Sequence, residues 1–188
     1  MTLDEWTQRA QTHEAWVRRA AWVVLVAGIL GFIVRGADGP ANPAVANPAR
    51  RPLPGFPSVP FQIVSADGHV LDWCALLAAA RRAREQGLMG LQDLRGYEAM
   101  VFRFAEETDT RFYMFGTTIP LSIAWFDGKG TYVGHADMNP CTGGDAGGCP
   151  TYAAPRKYKY ALEVGRGDLT KLGIGPGSRL AFPYKRCV

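Results

Sequence analysis

Two cysteines that bracket a short loop are the residues of this sequence whose chemistry is easiest to specify. Cys141 and Cys149 enclose the seven residues TGGDAGG, and Pro140 and Pro150 stand immediately outside them. A flexible loop of this length is easily closed by a disulfide, which contributes about 2–3 kcal/mol in the chain-entropy account. Free thiols and a metal site are the alternatives. The nearby side chains that could complete a metal site are His135, Asp137 and Asp145.

The metal alternative lacks a second ligand pair at the spacing of zinc sites. We therefore predict a disulfide between Cys141 and Cys149, with no metal ion and no cofactor. Two further cysteines, Cys74 in a strand-like segment and Cys187 near the C-terminus, either pair with each other or stay reduced.

A histidine and two carboxylates raise the question of catalysis. His135 is followed closely by Asp137, and Glu163 lies further along the chain. An envelope hydrolase or transferase could use His135 with Asp137 or Glu163, provided that the carboxylates lie ~5–10 Å apart across a cleft. The sequence has no GxSxG, HExxH, Walker-type loop or paired CxxC. We therefore predict no catalytic residue and keep the enzyme as an alternative.

The overall composition excludes several classes of protein. The chain has 188 residues, of which 47% are hydrophobic and 20% charged, which is typical of a chain that folds a core and excludes an intrinsically disordered protein. Its length suits one ordinary domain plus an appendage. The net charge of +4 is spread along the chain rather than concentrated in a patch, so we predict no nucleic-acid partner.

An uncharged stretch of fifteen residues, 20–34, predicts a membrane anchor. As a helix it would span ~22 Å, and the flanking arginines can lengthen the span by snorkelling. More basic residues precede the stretch than follow it, which places the N-terminus in the cytoplasm. We predict a cytoplasmic tail over residues 1–19 and a single-pass signal anchor over 20–35, with the rest of the chain outside the cell membrane. The alternative is a signal peptide cleaved after Ala46.

The remainder of the chain divides into a tether and a domain. Residues 36–60 contain seven prolines, a density that excludes helix and central strand and predicts an extended tether. Residues 61–188 form the predicted extracytoplasmic domain, in which Asp67-Gly68 indicates a tight hairpin. The predicted strands are Phe61–Val64, Val70–Trp73, Met100–Phe104, Arg111–Phe115, Leu121–Phe126, Thr131–His135, Tyr158–Val164 and Arg179–Phe182.

One helix is predicted in this domain, over Ala78–Gln86, and Gly87 is expected to end it in a left-handed conformation. Eight short strands and one helix predict an α+β fold. The expected architecture is a mostly antiparallel sheet, curled into a barrel or a sandwich and preceded by a single transmembrane helix.

An ordered set of short motifs resembles a known family. The motifs are REQGLMG (84–90), GYEAMVFRF (96–104), FYM (112–114), TTIPLSIAWFD (117–127), MNPC (138–141), CPTY (149–152), YALEV (160–164) and GIGPGSRL (173–180). Over about residues 61–182 the sequence resembles the bacterial and archaeal family known as domain of unknown function 192, most closely its membrane-anchored, exported branch from high-GC bacteria. The resemblance implies a compact β-rich domain, usually exported or anchored, with no established biochemical activity.

Two positions depart from the pattern of that family. Phe115-Gly116 stand where a basic residue and Asn are usual, and Ala79-Ala80 replace the usual Asp-Thr before the helix. The first departure is expected to remove a hydrogen-bonding pair from the family's candidate pocket. The second removes a good helix N-cap.

Noncatalytic binding at the cell envelope is the function that these features favour. Aromatic and methionine side chains offer apolar contact, while threonine hydroxyls and a carboxylate can orient a polar ligand such as an envelope saccharide. The predicted binding residues are Met89, Phe112, Met114, Thr117, Thr118, Pro120 and Asp137. The alternatives are the envelope enzyme above and an accessory subunit that packs an apolar face against a membrane-protein partner.

Overall fold

Short strands form the greater part of the protein. The structure, a computed structural model, describes residues 50–187. The strands are β1 (Ser58–Val64), β2 (Val70–Ala78), β3 (Ala99–Thr108), β4 (Phe112–Tyr113), β5 (Leu121–Phe126), β6 (Tyr132–Met138), β7 (Thr151–Tyr152), β8 (Tyr158–Gly165) and β9 (Arg179–Ala181). The helical elements are α1 (Arg81–Gln86) and two 3₁₀ turns, η1 (Ala146–Gly148) and η2 (Thr170–Leu172).

Seven strands form one sheet in the order β6-β5-β8-β3-β2-β1-β9, while β4 pairs with β7 in a separate two-stranded sheet. Neighbours in the large sheet are antiparallel except β2 and β3, which run parallel with Ala75 opposite Ala99. A parallel pair needs a crossover connection, and residues 79–98, which include α1, provide it. The fold is therefore mostly antiparallel β with one short helix, as the sequence predicted.

The two edges of the large sheet meet at one end, which curls it into a partly closed barrel. Thr131 forms an antiparallel bridge with Arg179, and the Leu180 N–H donates to the carbonyl oxygen of Gly130 at 2.7 Å. A Cβ on Gly130 would lie 2.0 Å from the Leu180 carbonyl oxygen, and the φ of +77° at this position also favours glycine. Gly130 therefore allows the two edges to approach.

Opposite faces of the large sheet belong to different packing layers. The concave face carries buried side chains from strands throughout the order, among them Phe61, Ile63, Val101, Phe126, Leu162 and Leu180. The convex face packs beneath α1 and β4 and includes Leu76, Met100, Phe102, Ile123, Trp125 and Tyr158. Residues directly opposite each other on paired strands share a face. Strand register therefore assigns each polar residue of the sheet to one of the two layers.

The helix ends at Gln86 before Gly87, as predicted, but it starts later than predicted. It begins at Arg81 rather than Ala78, because Ala78 is the buried last residue of β2. Its N-cap residue, Ala80, makes no side-chain capping bond. Gly87 ends the helix at a positive φ of 49°, but its ψ of −133° is extended, so the expected left-handed helical conformation is wrong. The extended turn lets the chain continue directly into Leu88, which is buried in the core.

The folded domain begins before residue 61. β1 starts at Ser58, Phe56 is buried, and Arg50 forms an ion pair with Glu98 at 3.0 Å. Pro60 is tolerated in β1 because β9 pairs only with residues 62–64, which leaves the outer edge at Pro60 without a strand partner in the described chain. Residues 50–60 of the predicted tether thus fold onto the domain. The predicted tail, the anchor and the rest of the tether lie outside the described residues.

Both cysteine pairs form disulfides. The predicted bridge between Cys141 and Cys149 is confirmed, with Cα atoms 6.0 Å apart, and Cys74 and Cys187 are joined as well. The carbonyl oxygen of Cys141 accepts a hydrogen bond from the Gly116 N–H at 3.0 Å, which attaches the bridged loop to the segment after β4. Within residues 50–187, no helix is both long and apolar enough to cross a membrane, and no three metal-binding side chains cluster.

Candidate functional site

A pocket of about 350 Å³ lies between α1, the convex face of β3 and the β4 segment. This volume is at the small end of the ~300–1,000 Å³ that ligand pockets occupy, so the pocket suits a small molecule or the end of a chain. The lining residues are Arg81, Arg84, Glu85, Gln86, Gly87, Leu88, Met89, Phe102, Phe104, Thr110, Arg111, Phe112, Tyr113, Thr117 and Glu163.

The crossover between the two parallel strands provides little side-chain volume, and the pocket occupies the space that remains. α1 has six residues, of which only Ala83 is buried. Gly87 adds no side chain, and a Cβ there would lie 3.3 Å from the ring of Phe102. Phe102 and Phe112 meet edge to face with their ring centroids 5.0 Å apart and form an apolar part of the wall.

Glu163 is the buried ionisable group of the pocket. Its register partners on β3 and β5, Met100 and Ile123, belong to the convex core, so Glu163 lies on that face. The residue is 5% exposed, and no side chain or backbone group in residues 50–187 forms a hydrogen bond or ion pair with its carboxyl. Burial raises the pKa of Glu163 to about 8, because the charged form loses its hydration. At neutral pH the group is therefore mainly a carboxylic acid with one O–H donor and a free acceptor.

Two arginines bring positive charge to the pocket wall. Nη1 of Arg84 donates to the carbonyl oxygen of Ala79, and the guanidinium carbon lies 4.8 Å from the ring centroid of Phe104. Nε of Arg111 donates to Oγ1 of Thr151 on β7 at 3.1 Å. These contacts position both side chains. They leave Nε and Nη2 of Arg84 and both Nη atoms of Arg111 without partners in the described part of the chain.

A third arginine is paired with a carboxylate. Nε of Arg81 donates to Oε1 of Glu85 at 2.8 Å, one turn along α1. Both side chains are exposed, so the pair adds little stability, but its charges cancel. With Glu163 neutral, the wall keeps two net positive charges, from Arg84 and Arg111. Such a wall attracts an anionic group.

The structure brings only some of the predicted binding residues together. Those that line the pocket are Met89, Phe112 and Thr117. Met114 is 1% exposed and belongs to the convex core instead. Thr118 and Pro120 are exposed and lie outside the pocket, and Asp137 is on another face of the sheet.

Asp137 and His135 lie on the opposite side of the sheet from Glu163. Their register partners are Ser122 and Ala124, and Ala124 belongs to the concave core, whereas Glu163 faces the convex layer. Oγ of Ser122 donates to Oδ1 of Asp137 at 2.5 Å, which gives the carboxylate a structural partner. His135, Asp137 and Glu163 therefore do not form one catalytic site.

The sequence analysis missed Arg84 and Arg111, and it named Glu163 only as an alternative acid. One sequence signal could have identified Glu163, because it is the only charged residue within the run YALEV. A lone acid in a strand buried on both faces is uncommon unless it is paired or functional. The arginines offered no such signal, since one lies on an amphipathic helix and the other in a polar turn.

Gly116 accounts for one departure from the family pattern. Its φ of +68° lies in the left-handed region that Gly and Asn tolerate best. Gly116 itself does not line the pocket, but a Cβ at this position would lie 3.5 Å from Cγ of Met89, which does. The backbone requirement explains why glycine is tolerated here, and the expected loss of a hydrogen-bonding pair stays a prediction.

Comparison with known proteins agrees with this fold. A crystal structure described as a "putative transcription regulator" from Sinorhizobium meliloti 1021 matches with a TM-score of 0.60 at 25% identity, over 68% of this chain and 95% of that chain. A crystal structure of a protein of unknown function from Novosphingobium aromaticivorans DSM 12444 matches with a TM-score of 0.61 at 24% identity, over 71% of this chain and 91% of that chain. No curated protein matches the chain. The model of the family DUF192, described as "Uncharacterized ACR", matches residues 62–182, and the chain belongs to this family.

Proposed function

We propose that this protein is a membrane-tethered domain of the cell envelope that binds a small polar ligand, a saccharide, in the pocket beside Glu163 without transforming it. The membrane anchor is the uncharged stretch 20–34 with its flanking arginines. The proposal keeps the domain outside the cell membrane, as expected for the exported branch that the sequence resembles.

The observation that carries the proposal is the unpartnered carboxyl of Glu163 at a pocket of about 350 Å³. The carboxyl oxygens are accessible only from the pocket, because they have no protein partner and are not among the fully buried unpaired atoms. A ligand hydroxyl or amide in the pocket would replace water as their hydrogen-bond partner. An enclosed polar group of this kind is what specific recognition of a small polar ligand requires.

A saccharide matches the chemistry of the wall. Sugar rings combine hydroxyl groups with apolar C–H faces, and the pocket combines aromatic rings with hydrogen-bonding groups. The rings belong to Phe104, Phe112 and Tyr113, and the hydrogen-bonding groups include those of Thr117 and Glu163.

Binding is favoured over catalysis because the wall lacks the groups that a hydrolase needs. Among the described residues that line the pocket there is no His, Ser, Cys or Lys. Of its two carboxyls, that of Glu85 is engaged by Arg81. Hydrolysis of a glycosidic bond usually needs a second, available carboxylate to act as base or nucleophile.

The accessory-subunit alternative finds less support. In the described part of the chain, the exposed large hydrophobic residues are Val70, Tyr113 and Tyr184, which lie on separate elements. A packing face for a larger membrane complex would need a contiguous apolar patch of several hundred Å².

Saturation-transfer-difference NMR with the full-length chain in detergent micelles tests the proposal. The probes are glucose, galactose, N-acetylglucosamine and N-acetylmuramic acid. We expect transfer to at least one of these sugars, and its loss in Glu163→Leu, which replaces the polar group with an apolar one of similar size. Asp137→Asn is the matched control, because it neutralises a carboxylate on the opposite face and is expected to leave binding unchanged.

Two results would overturn the proposal. One is the absence of transfer to every sugar of the panel, and the other is equal transfer to the wild type and to Glu163→Leu. Mass spectrometry of the recovered sugars, and of disaccharides incubated in parallel, distinguishes binding from turnover. A hydrolysed or transferred product would establish the enzyme alternative.

A further inference from the structure

Resting on the proposed function, we propose that the ligand is an anionic saccharide. Its acidic group binds Arg84 and Arg111, and a hydroxyl or acetamide group at its other end binds Glu163. The proposed ligand must therefore carry a negative charge. Neither the shape of the pocket nor the buried carboxyl requires this by itself.

The distribution of charge in the wall carries this inference. Five side chains of Arg or Glu line the pocket, and two of them, Arg81 and Glu85, neutralise each other through a 2.8 Å contact. The remaining acid is buried, whereas Arg84 is half-buried and Arg111 exposed. The two unneutralised guanidinium groups are therefore more exposed to solvent than the carboxyl.

Both guanidinium groups are positioned and still have donors to offer. Arg84 is fixed by its bonds to the carbonyl oxygens of Ala79 and Arg103 and by the ring of Phe104. Arg111 is fixed through Nε by Thr151 of the small sheet. A guanidinium whose stem is already ordered loses less entropy when it binds a carboxylate or a phosphate. Charge-assisted bonds of this type are among the strongest polar contacts in proteins.

The interior of the pocket requires different chemistry from the outer wall. The buried lining residues include Phe102, Phe112 and Glu163, and there is no cation among them. A carboxylic acid pairs well with a neutral group that both donates and accepts, such as a hydroxyl or an amide. A second anionic group on the ligand would be desolvated in this interior without a cationic partner. The ligand is therefore expected to be anionic at one end and neutral and polar at the other.

Matched sugars isolate the anionic group. N-acetylmuramic acid is N-acetylglucosamine with a carboxylate-bearing lactyl ether, and N-acetylglucosamine 6-phosphate carries a phosphate on the same ring. Glucosamine carries a cation instead of the acetamide. Titrations with the full-length chain in detergent micelles are expected to show at least one of the two anionic sugars binding about 10-fold or more tightly than N-acetylglucosamine. Glucosamine is expected to bind most weakly, and the better of the two anions identifies the acidic group as a carboxylate or a phosphate.

Substitutions of the two arginines test whether these residues cause the preference for an anionic sugar. Arg84→Gln and Arg111→Gln are each expected to reduce the preference for the anionic sugar over N-acetylglucosamine several-fold. Arg82→Gln removes the same charge from the same helix at an exposed residue that does not line the pocket, and it is expected to preserve the preference. Far-ultraviolet circular dichroism and thermal unfolding of each variant verify that it is folded.

The outcomes separate the two proposals. If N-acetylglucosamine binds as tightly as both anionic sugars, or glucosamine binds more tightly, the charge requirement is wrong and the saccharide pocket remains. A preference that survives both arginine substitutions also refutes the inference. If no sugar binds, or if binding survives Glu163→Leu, the proposed function itself fails.

Discussion

Replacing Glu163 with glutamine should flatten the pH dependence of the stability of this domain. Burial raises the pKa of this carboxyl from its ordinary value of 4.5 to about 8 in the folded protein. Between these values the folded chain holds a proton that the unfolded chain has released. Unfolding then releases a proton, so a rising pH favours the unfolded state.

The magnitude follows from the two pKa values. The contribution of Glu163 to stability is fully present below about pH 4.5 and is lost progressively as the pH rises toward 8. Each pH unit in the middle of this window corresponds to about 1.4 kcal/mol and less near its ends, so from pH 5 to pH 8 the free energy of unfolding should fall by about 3.5 kcal/mol. This is a large part of the 5–15 kcal/mol that stabilises an ordinary domain. Glutamine keeps the shape and does not titrate, so the loss should disappear in the variant.

Urea unfolding of the oxidised wild type and of Glu163→Gln at pH 5, 6.5 and 8 measures this difference. Subtracting the two curves removes the contributions of all other titrating groups. Glu106→Gln, at an exposed position of β3, is the control for the loss of a carboxylate. We expect it to follow the wild type.

Parallel pH curves for the wild type and Glu163→Gln would refute the reasoning. They would mean that the Glu163 carboxyl keeps its ordinary hydration or gains a polar partner in solution. The pocket would then lose the desolvated, unpaired carboxyl on which its assignment rests.

Three further predictions concern the fold and its surroundings. Gly130→Ala should destabilise the domain by at least about 2 kcal/mol more than Gly68→Ala in chemical denaturation, because only the first Cβ meets a backbone oxygen; equal losses would show that the barrel edges separate easily. Joint replacement of Cys141 and Cys149 by serine should cost about 2–3 kcal/mol without loss of the fold, and non-reduced peptide mapping that finds both thiols free would contradict the bridge. Carbonate-washed membranes should retain the full-length chain through residues 20–34, whereas release of a form that begins near Asn47 would indicate a cleaved signal peptide.

Local patterns in the sequence were sufficient for most of the strands. Leu121–Phe126 has the predicted bounds, because six consecutive apolar or small residues stand between turn residues. The turn at Asp67-Gly68 joins β1 and β2 as expected, with Gly68 at a φ of +86°. The two-residue strand Thr151–Tyr152 escaped prediction, since it exists only through its pairing with β4, about forty residues earlier in the chain.

Apolar residue type did not distinguish the pocket wall from the core. Phe112 and Met114 are two residues apart and both belong to the convex core, yet Phe112 also lines the pocket and Met114 does not. The pocket lies where α1 faces β3 and the β4 segment. The position of α1 follows from the parallel pairing of β2 with β3, which nothing in the local sequence indicated.

The sequence by itself determined the residue types: a lone acid in an apolar strand, another acid near a histidine, and two cysteines that flank a flexible loop. Tertiary structure decided which acid belongs to a pocket. Glu163 and Asp137 lie on opposite faces because β8 and β6 pair with the two edges of β5 in particular registers, and a shift of one residue would exchange the faces. The burial that raises the pKa of Glu163 arises only when β3, β5 and β8 pair, and α1 then covers the convex layer. These contacts join segments that are dozens of residues apart in the sequence. Local sequence patterns therefore do not specify the register in which the strands pair.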